Sequence, residues 1–424
     1  MSRGSVASTF RCSTDLDGTG LWHAEQAWLG RRAENVLIEV EGGRIKSVQE
    51  DVFAPTDAVT LRGWTIPGLA NVHSHAFQRL LRGEVESGAG DFWEWRDRMY
   101  RFTDWQPADY FKHARLVFRE MLEAGITAVG EFHYLHGHGN ELGEALIDAA
   151  REEGIRITLI DACYLRGGFD GTPLDLEQIS FSDGDADAWA RRVDDLADDD
   201  GVRIAAAIHS VRAVDPESMR IVATYARERG VPLHIHLAEQ PAEVEQCLQV
   251  EGCTPAELLE REGILGSDLT AVHAIHVTER DIALLGQGLV SICACPTTER
   301  DLGDRVGPLH ALASAGCAIS VGTDSNAVTD ILEESRALEL DERRATGRRV
   351  LHQPEALLRA ATVNGMRALG WEAGELKPGM LADFVTVDQP RALWRELSPA
   401  YLVYGFSGRD VTSVVVGGKT VVSR

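Results

Sequence analysis

Eight apolar, strand-like runs separated by helix-like stretches constrain this chain more than any other feature: residues 66–75, 127–133, 155–164, 202–209, 231–239, 269–276, 289–296 and 317–324. Strand-then-helix alternation is the pattern of a parallel sheet wrapped by helices, and eight repeats is the number that closes such a sheet on itself. The intervening segments 108–124, 217–229 and 256–262 are helix-like, and each stops close to a glycine. A closed barrel of this kind needs about 250 residues. A chain of 424 residues has room for it and for a smaller module. The expected fold is α/β, a (β/α)8 TIM-type barrel over residues 66–375.

Matching hairpin signals lie at the two ends of the chain. Residues 35–41 and 44–48 flank Gly42-Gly43, and residues 411–416 and 419–422 flank Gly417-Gly418. A two-residue Gly-Gly loop is a recognised hairpin connection. Segments 21–65 and 376–424 are therefore expected to build one small β-sandwich module, with residues 1–20, rich in Ser, Thr, Gly and Asp, as a loose tail. The acidic stretch 183–200 reads as a solvated helix face.

Charge and cysteine usage narrow the function classes. With 42 basic and 66 acidic residues the formal net charge is -24, which disfavours a general nucleic-acid or anionic-membrane surface. A small anionic substrate stays compatible, because salt screens exposed charges beyond about 10 Å and a few inward arginines set the potential of a pocket. The 7 cysteines are scattered and odd in number, which does not resemble a disulfide framework and fits a reducing compartment. Cys293-Ala-Cys295 lies in an apolar segment without a second thiol pair, so both cysteines read as structural. The first residues carry no apolar leader core, and no run of about 18 apolar residues occurs. A cytoplasmic protein is expected, and a homodimer is the commonest assembly for such an enzyme.

The chemistry-bearing residues gather at the C-terminal ends of the runs, the face on which barrel active sites are built. His73 and His75 are two apart on a strand, so both point into the barrel about 6.6 Å apart, a separation that one metal bridges. Taken alone, the pair is equally well two hydrogen-bonded structural histidines. In the fifth run His236 stands one layer nearer the mouth than His234, which makes His236 the ligand candidate and His234 a core histidine. Glu239 follows at the strand end, as a proton shuttle or, on the plainer reading, a surface carboxylate. His273 ends the sixth run and Asp324 the eighth; a carboxylate there completes an N3O set with one position open, as catalytic zinc requires. Their joint occurrence argues against accident.

On these residues the chain resembles the amidohydrolase superfamily, in its cytosine-deaminase-like branch. The motifs are Pro67-Gly-Leu-Ala-Asn-Val-His-Ser-His75, His234-Ile-His-Leu-Ala-Glu239, Val272-His273, Gly322-Thr-Asp324 and Lys377-Pro-Gly-Met-Leu-Ala-Asp383, spread over nearly the whole chain. The resemblance implies one divalent metal ion, usually Zn2+, held by His73, His75, His236 and Asp324. Two-metal members bridge their ions with a modified lysine on the fourth strand; here that run ends at His209 and holds no lysine. Whether His273 touches the metal is left open.

A narrower resemblance is to the N-formimino-L-glutamate iminohydrolases of histidine degradation. It rests on His73-Ser-His-Ala-Phe-Gln-Arg79, Phe92-Trp-Glu-Trp-Arg96 with Met99-Tyr100, Glu131-Phe-His-Tyr134, His209-Ser-Val-Arg212 and His236-Leu-Ala-Glu-Gln240. It implies substrate contacts at Gln78, Arg96, Tyr134, His209 and Arg212, and a small anionic substrate, a glutamate derivative. Two carboxylates suit arginine forks. Arg96 also has a plainer role, stacking on Trp93, Trp95 or Tyr100. The sequence departs from the family pattern at Asn326, where histidine is expected, and in the loop 295–303. The implied activity is hydrolytic deimination, with Asp324 accepting a proton, Glu239 protonating the departing nitrogen and His273 orienting or polarising the attacked group. The competing readings are a deaminase of an N-heterocycle such as a pterin, purine or triazine, and a barrel that binds a ligand without catalysis.

Overall fold

Strands buried on both faces read as unbroken apolar runs, and the barrel is made of such strands. The computed structural model describes residues 18–83, 92–100, 103–390 and 398–424, without the side chains of 92, 93 and 97. The expected loose tail therefore lies almost wholly outside the described residues. Four strands come first: β1 (Gly20–Trp28), β2 (Arg32–Glu41), β3 (Arg44–Gln49) and β4 (Val59–Pro67). The barrel follows, with β5 (Leu69–Ser74), β6 (Ile126–His133), β7 (Arg156–Cys163), β8 (Val202–Ser210), β9 (Leu233–Leu237), β10 (Leu269–His273), β11 (Ser291–Ala294) and β12 (Ala318–Val321). The chain returns to the first sheet with β13 (Phe384–Val387), β14 (Val411–Val416) and β15 (Lys419–Ser423).

The eight barrel strands are hydrogen-bonded in chain order from β5 to β12. Closure is made beyond β12, where Ser74 pairs with Asp324 in parallel, the His75 N–H donates to the Asp324 carbonyl at 2.9 Å and the Asp324 N–H to the His73 carbonyl at 2.8 Å. The seam of the barrel thus runs through three of the candidate ligands. At Gly322 in this seam an added Cβ would stand 2.8 Å from the His73 backbone, so only glycine lets the two strands meet so closely.

The first expected run, 66–75, is two strands rather than one. Ile66 and Pro67 belong to β4 of the terminal sheet, and the chain changes sheets at Gly68, whose N–H donates to the Asp383 carbonyl at 2.9 Å. The change is hidden in the sequence because residues on both sides of Gly68 are buried. The terminal strands form one continuous seven-stranded sheet, ordered β15-β14-β13-β4-β1-β2-β3. Both Gly-Gly turns occur as read, with φ of 57° and 74° at Gly42 and Gly43, and 55° and 71° at Gly417 and Gly418. The sheet carries its own core around Trp22, Ile38, Leu61 and Phe384. It is locked to the barrel by Arg156, whose Nε lies 2.6 Å and Nη2 3.1 Å from the buried Asp383 carboxylate.

The acidic stretch 183–200 is not simply a solvated face. Its helix Ala186–Val193 buries Ala186, Trp189 and Val193, a helical stripe masked by the charged residues between them. Arg192 turns inward and forks onto both Asp161 (2.7 and 2.9 Å) and Asp183 (2.6 and 3.0 Å). Among the described residues no helix is long and apolar enough to cross a membrane.

Candidate active site

The ends of β5 and β9 place three imidazoles at one point. His73 Nε2 lies 3.1 Å from His236 Nε2, and Asp324 Oδ1 lies 3.6 Å from His73 Nε2 and 3.4 Å from His75 Nε2. Backbone carbonyls set two of the tautomers: His75 Nδ1 donates to Phe132 at 3.0 Å and His236 Nδ1 to His209 at 2.9 Å. A carbonyl only accepts, so the Nε2 atoms of His75 and His236 are left as lone pairs aimed inward. His73 Nδ1 is buried with no hydrogen-bond partner among the described residues. Burial lowers the proton affinity of all three rings, that of His75 to about 3. A buried set with more lone pairs than hydrogens is the composition a divalent cation satisfies, so these four residues fit a metal ion.

His273 and Glu239 stand beside this set. His273 Nε2 lies 3.7 Å from Asp324 Oδ2 and 3.8 Å from Glu239 Oε1, while its Nδ1 lies 3.2 Å from Glu299 Oε1. Burial opposes a charge on His273, but Glu239, Glu299 and Asp324 around it outweigh burial and raise its proton affinity. Burial pushes Glu239 up to about 8, against the pull of His273. The Glu239 side chain is 15% exposed and lines the cavity, so it is not a freely solvated surface carboxylate. His273 has φ of +70°, Ala274 +51° and Asp324 +46°, a left-handed backbone that non-glycine residues adopt where surrounding structure enforces it.

A cavity opens above these groups. His75, His236, Glu239, His273 and Asp324 line it together with Gln78, Tyr134, His209, Arg96 and Arg212; the His209 ring stands 5.0 Å from that of His236 and 4.4 Å from that of Tyr164. His73 lies beneath. Gln78 Nε2 donates to the Tyr134 hydroxyl at 3.3 Å, and burial keeps His209 neutral. Arg96 has its guanidinium carbon 5.4 Å from the centre of the Tyr100 ring, so stacking and facing the cavity are compatible rather than alternatives.

Some expected departures prove to be structural. Asn326 is fully buried, and its side-chain amide donates to Ser74 Oγ at 3.2 Å and to the His75 carbonyl at 3.1 Å while its oxygen accepts from Thr323 at 2.6 Å. It ties the barrel seam together and does not line the cavity. His234 lies 3.1 Å, through Nε2, from the Ala368 carbonyl, as a core histidine does. Cys295 stays a thiol, since burial raises its pKa, although it lies close to His273 and Asp324. A second grouping, His133, His136 and Asp161, sits by β6 and β7; there the Asp161 oxygens are taken by Arg192 and the Trp189 indole, which makes it an ionic tie between strand and helix.

Sequence reasoning missed Glu299, Tyr164 and Gln178, and did not single out Tyr100. Glu299 lies four residues after Cys295 on the helix Pro296–Leu302 and accepts the Cys295 N–H at 2.9 Å, a one-turn spacing that could have flagged it. Tyr164 follows the end of β7 at the barrel mouth, a position that invites a functional reading. Gln178 sits in a loop with no local signal.

A (β/α)8 barrel with a buried His3Asp set at its C-terminal mouth, beside two proton-carrying groups, defines a metal-dependent hydrolase. The chain belongs to the amidohydrolase family, whose description it matches over residues 64–421, and so acts as a hydrolase of C–N bonds of the deaminase type. It is 32% identical to a formimidoylglutamate deiminase of Pseudomonas aeruginosa over 92% of this chain and 91% of that protein. It is 31% identical to a 5-methylthioadenosine/S-adenosylhomocysteine deaminase of Natronomonas pharaonis over 92% of this chain and 89% of that one. Among solved structures, an amidohydrolase from Brucella melitensis superposes with a TM-score of 0.87 at 32% identity over 95% of both chains. A zinc-containing adenosine deaminase from Xanthomonas campestris gives 0.84 at 25% identity over 95% of this chain and 92% of that one.

Proposed function

We propose that the protein hydrolyses N-formimino-L-glutamate to N-formyl-L-glutamate and ammonia, with one zinc ion held by His73, His75, His236 and Asp324. The observation that carries this reading is the convergence of Arg96, Arg212, Gln78 and Tyr134 on the cavity that the His3Asp set opens into. Two guanidinium groups and a hydrolytic centre facing one cavity match a substrate with two carboxylates and a formimino group. The curated relative from Pseudomonas aeruginosa supports the same choice.

Zinc held by this set would supply Lewis acidity, lowering the pKa of a water toward neutrality. Asp324 would accept a proton from the water that adds to the formimino carbon. Glu239 protonates the nitrogen that leaves, so that the C=N bond is replaced by C=O and ammonia departs. His273, held at Nδ1 by Glu299, points Nε2 at the attacked group and stabilises the charge that develops there. Arg96, Arg212, Gln78, Tyr134 and His209 hold the glutamate end, so that the reacting carbon is presented in line.

A purine nucleoside is the second candidate, favoured by the relative that deaminates 5-methylthioadenosine and by the aromatic wall of Trp95, Tyr100, Tyr134, Tyr164 and Phe181. Ammonia release from zinc-loaded protein decides between them. N-formimino-L-glutamate is expected to turn over and 5-methylthioadenosine, adenosine and a triazine are not. Deamination of a heterocycle with no ammonia from N-formimino-L-glutamate overturns the proposal.

A further inference from the structure

Behind the cavity wall, Gln178 makes a hydrogen-bond pattern whose direction is fixed. The Asp175 N–H meets Gln178 Oε1 at 3.2 Å, and Gln178 Nε2 meets the hydroxyls of Tyr100 at 3.1 Å and Tyr164 at 3.0 Å. A backbone N–H only donates, so the amide oxygen faces Asp175 and both amide hydrogens face the phenols. The loop is held in register by the reciprocal bond from the Gln178 N–H to Asp175 Oδ1 at 2.9 Å. All three side chains are buried: Gln178 is 3% exposed, Tyr100 8% and Tyr164 2%.

A phenol oxygen that accepts from Gln178 must send its own hydrogen elsewhere. Neither hydroxyl has a protein acceptor among the described residues. Both rings line the cavity together with Arg96 and Arg212, while Gln178 lies behind them. The open direction for each O–H is the cavity.

We infer that Gln178 sets the polarity of the far wall: it fixes Tyr100 and Tyr164 as hydrogen-bond donors to the ligand, which with Arg212 makes a cradle selective for a carboxylate. A cation or a bare N–H group placed there meets hydrogens instead of lone pairs. This rests on the glutamate-derivative reading above, and it assigns specificity to a residue that does not touch the substrate. Gln178 is a positioning residue.

Gln178→Glu is nearly isosteric and reverses the pattern. A carboxylate at 178 still accepts from Asp175 but also accepts from both phenols, and so turns their hydrogens away from the cavity. In the zinc-loaded full-length protein the KM for N-formimino-L-glutamate is expected to rise about 10²-fold, more than kcat changes, since two hydrogen bonds to a charged group are lost. The Kd for glutarate, a dicarboxylate with nothing to hydrolyse, should rise in step. The new charge alone could repel the substrate, and the double-mutant cycle with Tyr100→Phe and Tyr164→Phe separates the two effects. With both phenols removed, Gln178→Glu should add only about 3-fold or less. The full factor persisting in that background, or an unchanged KM and Kd in Gln178→Glu, overturns the inference. If Gln178→Glu does not fold, the Tyr100→Phe/Tyr164→Phe protein decides: a KM for the substrate and a Kd for glutarate equal to those of the parent overturn it. If the parent releases no ammonia from N-formimino-L-glutamate yet binds glutarate, the activity proposal fails while the cradle stands or falls on the glutarate series. Absence of binding by any dicarboxylate ends both.

Discussion

The two ends of the cavity are built on different principles. At the metal end the groups sit on barrel strands or within three residues of their ends, and backbone positions most of the candidate ligands: carbonyls of Phe132 and His209 orient His75 and His236, and the barrel seam positions Asp324. At the far end the groups come from the helix Phe92–Met99, from residues that follow β5, β6, β7 and β8, and from a loop, and several are oriented by one another's side chains: Gln78 on Tyr134, Gln178 on Tyr100 and Tyr164. Strand ends give fixed geometry for chemistry that many substrates share. Loops and a separate helix can change without disturbing the barrel, which is how one scaffold serves deaminases of unlike substrates.

If that division holds, substitutions at the metal end lower kcat and metal content, while those at the far end act on substrate binding. The largest effect is expected for Asp324→Asn, which should lower turnover about 10³- to 10⁴-fold and reduce bound zinc, read by metal analysis beside ammonia release. Glu239→Gln comes next, with a loss of about 10²- to 10³-fold in kcat at unchanged zinc content. Loss of zinc in that variant would place Glu239 among the ligands and blur the comparison. Arg212→Met should lower kcat/KM for N-formimino-L-glutamate about 10²-fold, chiefly through KM, with zinc retained; an effect on kcat alone would move Arg212 into the chemistry. The smallest kinetic effect belongs to Asn326→Ala. Its cost is expected in stability, about 1–3 kcal/mol read as a lowered Tm, while KM moves little.

The same division decided what could be read from the amino-acid sequence. His73, His75, His236, His273 and Asp324 were legible because the period of two on a strand tells which side chains face the barrel axis, and strand ends mark its mouth. Tyr100, Tyr164 and Gln178 were not, because what brings them together is the path of loops between residues 78 positions apart, which no local pattern encodes. Two parts of the fold were hidden for opposite reasons. The sheet change at Gly68 lies inside a run that is buried on both sides of the glycine, and the buried stripe of Trp189 and Val193 lies inside a run dominated by charged residues. Resemblance supplied Arg96 and Arg212, and it raised a doubt at Asn326 that burial and hydrogen bonding resolve, since that side chain faces the seam and not the cavity.

A crystal structure of the zinc-loaded protein with N-formyl-L-glutamate tests the division of the cavity most directly. The account predicts the formyl group at the His73, His75, His236 and Asp324 end beside Glu239 and His273, and the carboxylates at the far end on Arg96 and Arg212. A carboxylate placed on the metal with the formyl group toward Arg212, or a ligand that touches neither arginine, would contradict it.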